Sequence, residues 1–191
     1  MDTQNILNDI RKNLRFNAYQ SYADASVLLA LTQEPQPKIL LTKRSSHLNK
    51  HAGEISFPGG KRDLEDNDDI QVALREANEE VGIEPFFVEL VGELPIVQSK
   101  YGLSVKPIVG ILPKQMRLTA QPDEIEKIFF VDIADFIHSE AQPYSIIYQD
   151  RHINVPSFQL QGEIIWGLTA RMIVDLLKHG LLIEKQWKML M

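Results

Sequence analysis

The chain has 191 residues, of which 44% are hydrophobic and 24% charged, a composition that is ordinary for a globular protein and predicts a single domain. The net charge of −6 argues against a protein that coats nucleic acid, because binding to nucleic-acid phosphates depends mainly on Lys and Arg. The absence of cysteine excludes disulfides, thiolate metal sites and a cysteine nucleophile, and no apolar run reaches the roughly 20 residues of a membrane-spanning helix.

The N-terminal segment predicts an amphipathic helix over residues 2–15. Its apolar side chains recur at helical spacing and fall on one side: Ile6, Leu7, Ile10 and Leu14. We expect this stripe to pack against the rest of the protein, with a dimer contact as the alternative. The predicted organisation is therefore an N-terminal helix within residues 1–20 that packs on one domain formed by residues 21–191.

A β-hairpin is predicted next. The apolar runs Ala25–Leu31 and Ile39–Thr42 are short enough to be strands, and Gln33–Pro37 between them reads as a turn. The two prolines in this turn cannot donate to a strand ladder, which places the turn outside the sheet.

Two basic segments are candidates for contacting phosphate. Residues 43–51 include Arg44, Lys50 and His51, and a solvated loop and a phosphate-contacting loop are both open interpretations of this segment. Lys61 and Arg62 are the stronger candidates, because they directly follow a glycine pair. Glycine has no Cβ, so backbone at such a pair can approach a ligand closely.

The clearest predicted element is a helix over residues 70–81. Its apolar residues recur at helical spacing: Ile70, Leu74, Ala77 and Val81. Asp68 and Gln71 resemble a capping box, so the helix is expected to start near Asp69. Gly82 follows the last apolar residue and is expected to end the helix, since glycine tolerates the left-handed conformation there.

Glu76, Glu79 and Glu80 fall together on another side of this helix. Two carboxylates about 4 Å apart repel by roughly 4 kcal/mol at an effective dielectric constant near 20. Water can screen this repulsion, which gives a solvated acidic face, or a divalent cation can relieve it. Oxygen ligands without cysteine suit Mg²⁺ or Mn²⁺ rather than zinc.

The second half of the chain predicts mostly strands, at residues 86–94, 105–112 and 128–131, with a hairpin formed by residues 144–148 and 152–155. Lys106-Pro107 suggests an edge or a bulge in the second of these strands. A helix over residues 164–178, ended by Gly180, is expected to close the fold. Trp166 within it is expected in the core, and strands mixed with few helices indicate an α+β or mixed α/β sandwich.

Other polar residues have no clear partner in the sequence. Glu124 lies on a predicted loop, either as a solvated charge or as a further metal ligand or base. His138, His152 and His179 are scattered and are interpreted as structural or surface residues.

Residues 75–83 match the second half of the Nudix box, R-E-U-x-E-E-x-G-U with U apolar, at every position. Gly60 fits the opening glycine of the box, and Asp66 stands where an acidic residue is usual. The spacing between Asp66 and Arg75 is one residue longer than usual. The chain is thus identified as resembling the Nudix hydrolases.

A second signature resembles the coenzyme A pyrophosphatase branch of that family. It comprises Leu40-Leu41-Thr42, Ser45, Gly53 and Phe57-Pro58-Gly59-Gly60, and the longer box also resembles this branch. Two positions depart from it: Arg44 stands where Ser or Thr is usual, and Asn49 where Arg is usual. If the missing arginine contacts substrate in the branch, its role here is either vacant or taken by Arg44, Lys50 or His51. Residues 165–171 resemble a further segment of the branch.

The resemblance implies a Nudix-type α/β/α sandwich with a mixed β-sheet and Mg²⁺- or Mn²⁺-dependent hydrolysis of coenzyme A or a derivative to 3',5'-ADP and a 4'-phosphopantetheine product. Glu76 and Glu80 would hold the metal, with Glu79 and the Gly60 carbonyl assisting. Glu79 or Glu124 would act as base, and Arg75 would hold the acidic cluster in place.

Two other functions stay open at this point. One is a Nudix hydrolase of another dinucleotide, such as ADP-ribose or NADH, and the other is a non-catalytic nucleotide-sensing module. In either case the expected partner is a small-molecule nucleotide, with no nucleic acid and no membrane. We expect a cytoplasmic protein, because the chain has no cysteine and its N-terminus is polar and lacks a signal-peptide core. The expected oligomeric state is a monomer or a homodimer.

Overall fold

The computed structural model describes residues 5–17, 22–48, 50–148 and 151–185. Asn49, the tip of the predicted 144–155 hairpin, the first residues of the predicted N-terminal helix and the 1–20 boundary fall outside these ranges. In chain order the elements are α1 (Ile6–Asn13), β1 (Ala25–Thr32), β2 (Lys38–Arg44), β3 (Ile55–Ser56), β4 (Gly59–Lys61), α2 (Asp69–Val81), a 3₁₀ turn (Pro85–Phe87), β5 (Glu89–Glu93), β6 (Val97–Gln98), β7 (Ser104–Leu112), β8 (Ile125–Asp132), α3 (Ile133–His138), β9 (Gln142–Tyr148), β10 (Arg151–Leu160), β11 (Glu163–Trp166) and α4 (Gly167–Leu181).

Strands β1–β8 form one mixed sheet. The strand β1 runs parallel to β7 over its full length, whereas the other pairings in this sheet are antiparallel. The predicted hairpin of β1 and β2 is present, but the two strands pair only at Leu31 and Ile39 near the turn. They then diverge, and the opening between them is filled by β4, which pairs with β1, and by β3, which pairs with β2. This opening brings Gly59 and Gly60 to the middle of the sheet.

Helices cover both faces of this sheet. On one face α2 buries Ala73, Ala77 and Val81 against alternate β1 residues, Leu28 and Ala30. On the other face α1 and α4 belong to a second apolar cluster, which includes the intervening β1 residues Leu29 and Leu31. The alternation along β1 follows from the period of two of a strand. The predicted α/β/α sandwich with a mixed sheet is thus confirmed. Within the described residues, the helices are all too short or too polar to cross a bilayer.

A second, three-stranded antiparallel sheet is formed by β9, β10 and β11. The predicted hairpin is its β9–β10 pair, in which Tyr148 opposes Arg151. The prediction that a helix begins at Ile164 was wrong, because Ile164 and Ile165 pair with β10 and the helix begins only at Gly167. Gly180 does not end that helix either. It lies inside the last turn, where a Cβ would stand 3.3 Å from Ile10 of α1. The helix ends at Leu181 and is capped by Leu182, which has the left-handed conformation.

Three other expectations need correction. The strand predicted from Phe86 begins at Glu89, because residues 85–87 form the 3₁₀ turn. The strand β7 is not at an edge, since β1 flanks it on one side and β5 and β6 on the other. The Pro107 carbonyl accepts from the Leu94 N–H (3.0 Å), and Leu94 directly follows β5, so Pro107 faces the break between β5 and β6 inside the sheet. Lys43 and Arg44 belong to β2 rather than to a loop, and the short helix α3 was not predicted.

Candidate active site

Local signals position the acidic helix. The Asp68 carboxylate accepts a hydrogen bond from the Gln71 N–H (2.8 Å), and the helix begins at Asp69, as predicted. The Gln71 side chain in turn accepts from the N–H of Asn67, one residue before the cap. At the other end Gly82 takes the left-handed conformation (φ 72°) and closes the helix. These caps set where α2 begins and ends, and the burial of its apolar face against β1 sets the direction of its carboxylates.

The three glutamates do not form an evenly solvated face. Glu80 is only 4% exposed, whereas the Glu79 side chain is 58% exposed. Burial raises the pKa of Glu80 to about 7, although the Gly59 N–H (3.1 Å) and Arg44 (3.3 Å) both stabilise its ionised form. Burial also raises the pKa of Glu76, against the opposing effect of Arg75. Two carboxylates of the helix are therefore held out of water with their charge incompletely compensated.

Gly60 lies against the Glu76 carboxylate. A Cβ on Gly60 would overlap the Cδ and both oxygens of Glu76, so only glycine leaves space for this carboxylate at its present position. Because β4 pairs with β1 and packs beside α2, the backbone of the glycine pair lies close to the half-buried Glu76 and the buried Glu80.

Arg75 joins the acidic residues of the box. Its guanidinium donates to both carboxylate oxygens of Asp66 (2.8 and 3.2 Å), to Glu76 (2.9 Å), to Glu79 (3.2 Å) and to the carbonyl of Lys61 (3.0 Å). The Arg75 hydrogen bonds lower the pKa of Asp66 below its ordinary value. Arg75 therefore ties α2 to the loop before it and orients two of the glutamates.

The loop that carries Glu124 is fastened to the end of α2. The N–H of Gln121 donates to the carbonyl of Glu80 (2.8 Å), and the N–H of Thr119 donates to the carbonyl of Val81 (3.0 Å). At its other end the Glu124 carbonyl accepts from the Ser45 N–H (2.7 Å). The guanidinium of Arg44 lies between Glu80 (3.3 Å) and Glu124 (4.0 Å), so the structure brings Glu124 to the same cluster as the helix carboxylates.

The other basic candidates are placed differently. His51 lines the main cavity and pairs with Glu54 (2.8 Å), whereas Lys50 and Lys61 are exposed and do not line it. Arg62 lies away from the cavity: its guanidinium is ion-paired with Asp69 and donates to the carbonyl of Asp66 (3.1 Å). Of the basic candidates that the structure describes, Arg44 and His51 therefore line the main cavity, whereas Arg62 does not.

A cavity of about 590 Å³ opens beside the glycine pair. One end is lined by Arg44, Gly59 and Gly60, and the other by apolar residues of the second sheet and of α4. In this second wall Trp166 packs at 5.1 Å against Tyr144 and faces the cavity, so it is half-buried rather than in the core. Sequence reasoning did not find this wall. The alternating apolar residues of β9 and β10 were the available signal, but they do not show which face meets the cavity.

The donor set fits a hard divalent cation. Glu76 and Glu80 supply carboxylate oxygens, the backbone of the glycine pair lies close by, and the chain has no cysteine to supply a thiolate. In the described part of the chain, no three His, Asp or Glu side chains converge tightly enough to hold an ion by themselves. This suits Mg²⁺, which is commonly held by one or two carboxylates while water and substrate phosphate complete its coordination.

Comparisons with known proteins agree with these features. A model of the NUDIX domain family matches residues 23–150. Two curated proteins named "Uncharacterized Nudix hydrolase NudL", from Escherichia coli O7:K1 and Escherichia coli strain K12, are each 40% identical to the chain over 157 residues, which cover 82% of this chain and 82% of the relative.

Solved structures show a similar fold. The binary complex of a C. elegans Ap4A hydrolase matches with a TM-score of 0.51 at 21% identity, covering 59% of this chain and 83% of that one. The Nudix hydrolase RenU from M. smegmatis matches with a TM-score of 0.50 at 17% identity, covering 61% and 74%. At such identities these two matches bear on the fold alone.

Proposed function

Because the chain belongs to the NUDIX family and is a pyrophosphohydrolase of small nucleotide substrates, we propose that it cleaves the diphosphate of coenzyme A or one of its derivatives. The products would be 3',5'-ADP and a 4'-phosphopantetheine compound. The observation that carries the proposal is the position of the signature that resembles the coenzyme A pyrophosphatase branch: Phe57, Gly59 and Gly60 line the cavity, and the glycine pair lies directly beside Glu76 and Glu80.

The carboxylates of α2 would hold the metal. Nudix hydrolases generally use divalent metals such as Mg²⁺. We assign Glu76, Glu80 and the Gly60 carbonyl as ligands, with the more exposed Glu79 assisting. A divalent ion at these residues would neutralise diphosphate charge and make a water molecule a better nucleophile.

The remaining residues orient the reacting groups. Glu79 and Glu124 are the candidate bases that would accept the proton of the attacking water. Arg75 would keep Glu76 and Glu79 in place through the bonds described above. Arg44 contacts Glu80, approaches Glu124 and lines the polar end of the cavity. It would hold these carboxylates and donate to a phosphate oxygen of the substrate.

A substrate panel tests the proposal. The protein is assayed with Mg²⁺ on coenzyme A, an acyl-coenzyme A, ADP-ribose and NADH, and the products are identified by mass. We expect 3',5'-ADP and a 4'-phosphopantetheine product at the highest kcat/KM. Preferred cleavage of ADP-ribose or NADH would overturn the substrate assignment, and tight binding of nucleotide without any cleavage would indicate a sensing module instead.

A further inference from the structure

We infer that a groove between β6 and α4 binds a phosphate monoester of the substrate, away from the diphosphate that is cleaved. This inference rests on the proposed function, because it concerns the far end of the same nucleotide. It adds a specificity site to the chemistry at α2.

The groove is a second concavity of about 300 Å³ that adjoins the main cavity. Its walls are residues 95–98 at β6 and five residues of α4: Leu168, Arg171, Asp175, Lys178 and His179. Gln98, Leu168 and Arg171 line both the groove and the main cavity. A ligand that fills the main cavity can therefore reach the groove without crossing the body of the protein.

The charged groups of the groove favour an anion. Arg171, Lys178 and His179 come from one side of α4, and Asp175 is the single carboxylate among the described residues that line the groove. Asp175 and Lys178 follow Arg171 by four and seven residues, which is about one and two helical turns, so the three residues share a face of α4. The wall from β6, Pro95 to Gln98, contains no charged residue. A basic groove is notable in a chain whose net charge is −6.

Arg171 is held in a position to bind. Its Nε donates to both oxygens of the buried Asp175 carboxylate (3.2 and 3.3 Å), while its side chain stays 49% exposed. Since these bonds to Asp175 engage Nε, the two Nη groups can turn towards the groove, as an arginine does when it contacts a phosphate. Lys178 is exposed about two turns further along the helix, roughly 10 Å from Arg171 at a rise of 1.5 Å per residue.

The ligand chemistry distinguishes the candidate substrates. A phosphate monoester carries between about −1.5 and −2 charges at pH 7 and has three acceptor oxygens, which matches a cluster of Arg, Lys and His. Coenzyme A has such a monoester on its ribose, whereas ADP-ribose and NADH have only the diphosphate. The groove thus favours a substrate with a third phosphate.

The test compares coenzyme A with 3'-dephospho-coenzyme A in Mg²⁺-dependent kinetics. For the wild type we expect kcat/KM to be at least about 10-fold higher with the phosphorylated substrate, which corresponds to one good charged contact. Arg171→Gln should lower kcat/KM for coenzyme A about 10-fold, mainly through KM, and change the dephosphorylated substrate less than about twofold. Arg171→Lys should retain part of the preference, because the charge remains.

Arg11→Gln is the matched control, since Arg11 is also an ion-paired helix arginine but lies outside both cavities. It should leave the preference unchanged. Lys178→Gln provides a second variant if loss of Arg171 unfolds the protein, with an expected loss of about threefold for coenzyme A alone. Equal effects on both substrates, or no preference in the wild type, would overturn the inference.

A binding measurement separates this inference from the proposed function. If the wild type cleaves neither coenzyme A nor its dephosphorylated form, the substrate proposal fails, and calorimetry with adenosine 3',5'-bisphosphate and with AMP then decides about the groove. Tighter binding of the bisphosphate that is lost in Arg171→Gln supports the phosphate site. Equal binding of the two nucleotides overturns it.

Discussion

Glu80 is a carboxylate that the fold removes from water and surrounds with a single backbone N–H and one arginine. Such a group is expensive to ionise in the metal-free protein, because burial disfavours the charged form. A helix residue that served stability alone would gain from being neutral. This is the physical argument behind our proposal that Glu80 binds a cation.

The variant Glu80→Gln tests this role. We expect turnover to fall at least about 100-fold, because charge stabilisation by a bound metal contributes several kcal/mol to the transition state. The melting temperature in EDTA should hold or rise, since the buried charge is removed while the Gly59 N–H keeps an acceptor. Glu84→Gln, at an exposed position just after α2, is the control and should change neither value. Near-normal turnover of Glu80→Gln would refute the ligand assignment.

Gly60→Ala provides an independent measurement at the same site. The new Cβ would displace the Glu76 carboxylate, which is the free end of a flexible side chain, so the fold should tolerate the change. We expect a loss of activity of at least about 10-fold and a raised requirement for Mg²⁺, with a melting temperature within about 3 °C of the wild type. Unchanged activity at low Mg²⁺ would show that the position of Glu76 does not matter for the metal.

At the scale of elements, the helix α2 is stabilised at its start by an ion pair with the preceding loop. Asp66 is only 6% exposed in its side chain and bonds to Arg75 through both oxygens. Its pKa is lowered in the folded protein, chiefly by Arg75. The ionised form is thus favoured on folding, and this contribution is present above the unfolded pKa and lost as the pH falls through the folded value.

Asp66→Asn should therefore reduce the free energy of unfolding at pH 7 by about 1–3 kcal/mol, the range for hydrogen bonds to charged groups. The difference from the wild type should stay constant down to about pH 5 and shrink below the model-peptide pKa of Asp, about 3.9. Urea titrations between pH 3.5 and 7 measure it. Asp63→Asn is the control, because the Asp63 side chain is 72% exposed and lies 3.8 Å from Arg75. Its free energy of unfolding should be almost the same as that of the wild type at every pH between 3.5 and 7.

The elements that were predicted correctly have signals within their own stretch of sequence. The bounds of α2 follow from its cap at Asp68, its apolar spacing and Gly82, which are all local. The β11–α4 boundary was missed because Ile164, Ile165 and Trp166 form an apolar run that suits either a strand or a helix, and pairing with β10 decides between them. The site likewise depends on contacts between distant parts of the chain. The three glutamates are visible in the sequence, but the environment of Glu80 includes Gly59 of β4 and Arg44 of β2, which the sequence alone does not place beside it.

At the scale of the whole molecule, the residues proposed to hold the metal and the residues proposed to bind the rest of the substrate come from different layers of the fold. The carboxylates come from α2 on one face of the mixed sheet, while the distant walls of the cavity come from the second sheet and α4. Trp166 sits where these two elements join, beside Tyr144. Substrate contacts at Trp166 would be the same in the bound substrate and in the transition state, so we expect them to affect KM more than kcat.

Trp166→Ala tests this division. We expect KM for the preferred substrate to rise about 10-fold, which corresponds to about 1.4 kcal/mol of lost contact, with kcat within about threefold of the wild type. Steady-state kinetics measure both values. Phe86→Ala is the control, because this aromatic side chain is exposed and lies outside both cavities. A fall in kcat without a change in KM would place Trp166 among the residues that act on the reacting atoms.

The hydrogen bonds that join Thr119 and Gln121 to the last turn of α2 have a further consequence. They fasten the Glu124 segment to the end of the helix, so little entropy would be lost in bringing a fourth acid to the cluster when an ion binds. The amide protons of Thr119 and Gln121 should for the same reason exchange with deuterium on the timescale of α2, rather than on the faster one usual for a surface turn. Insertions in this segment would then disturb the helix end before they disturb any strand.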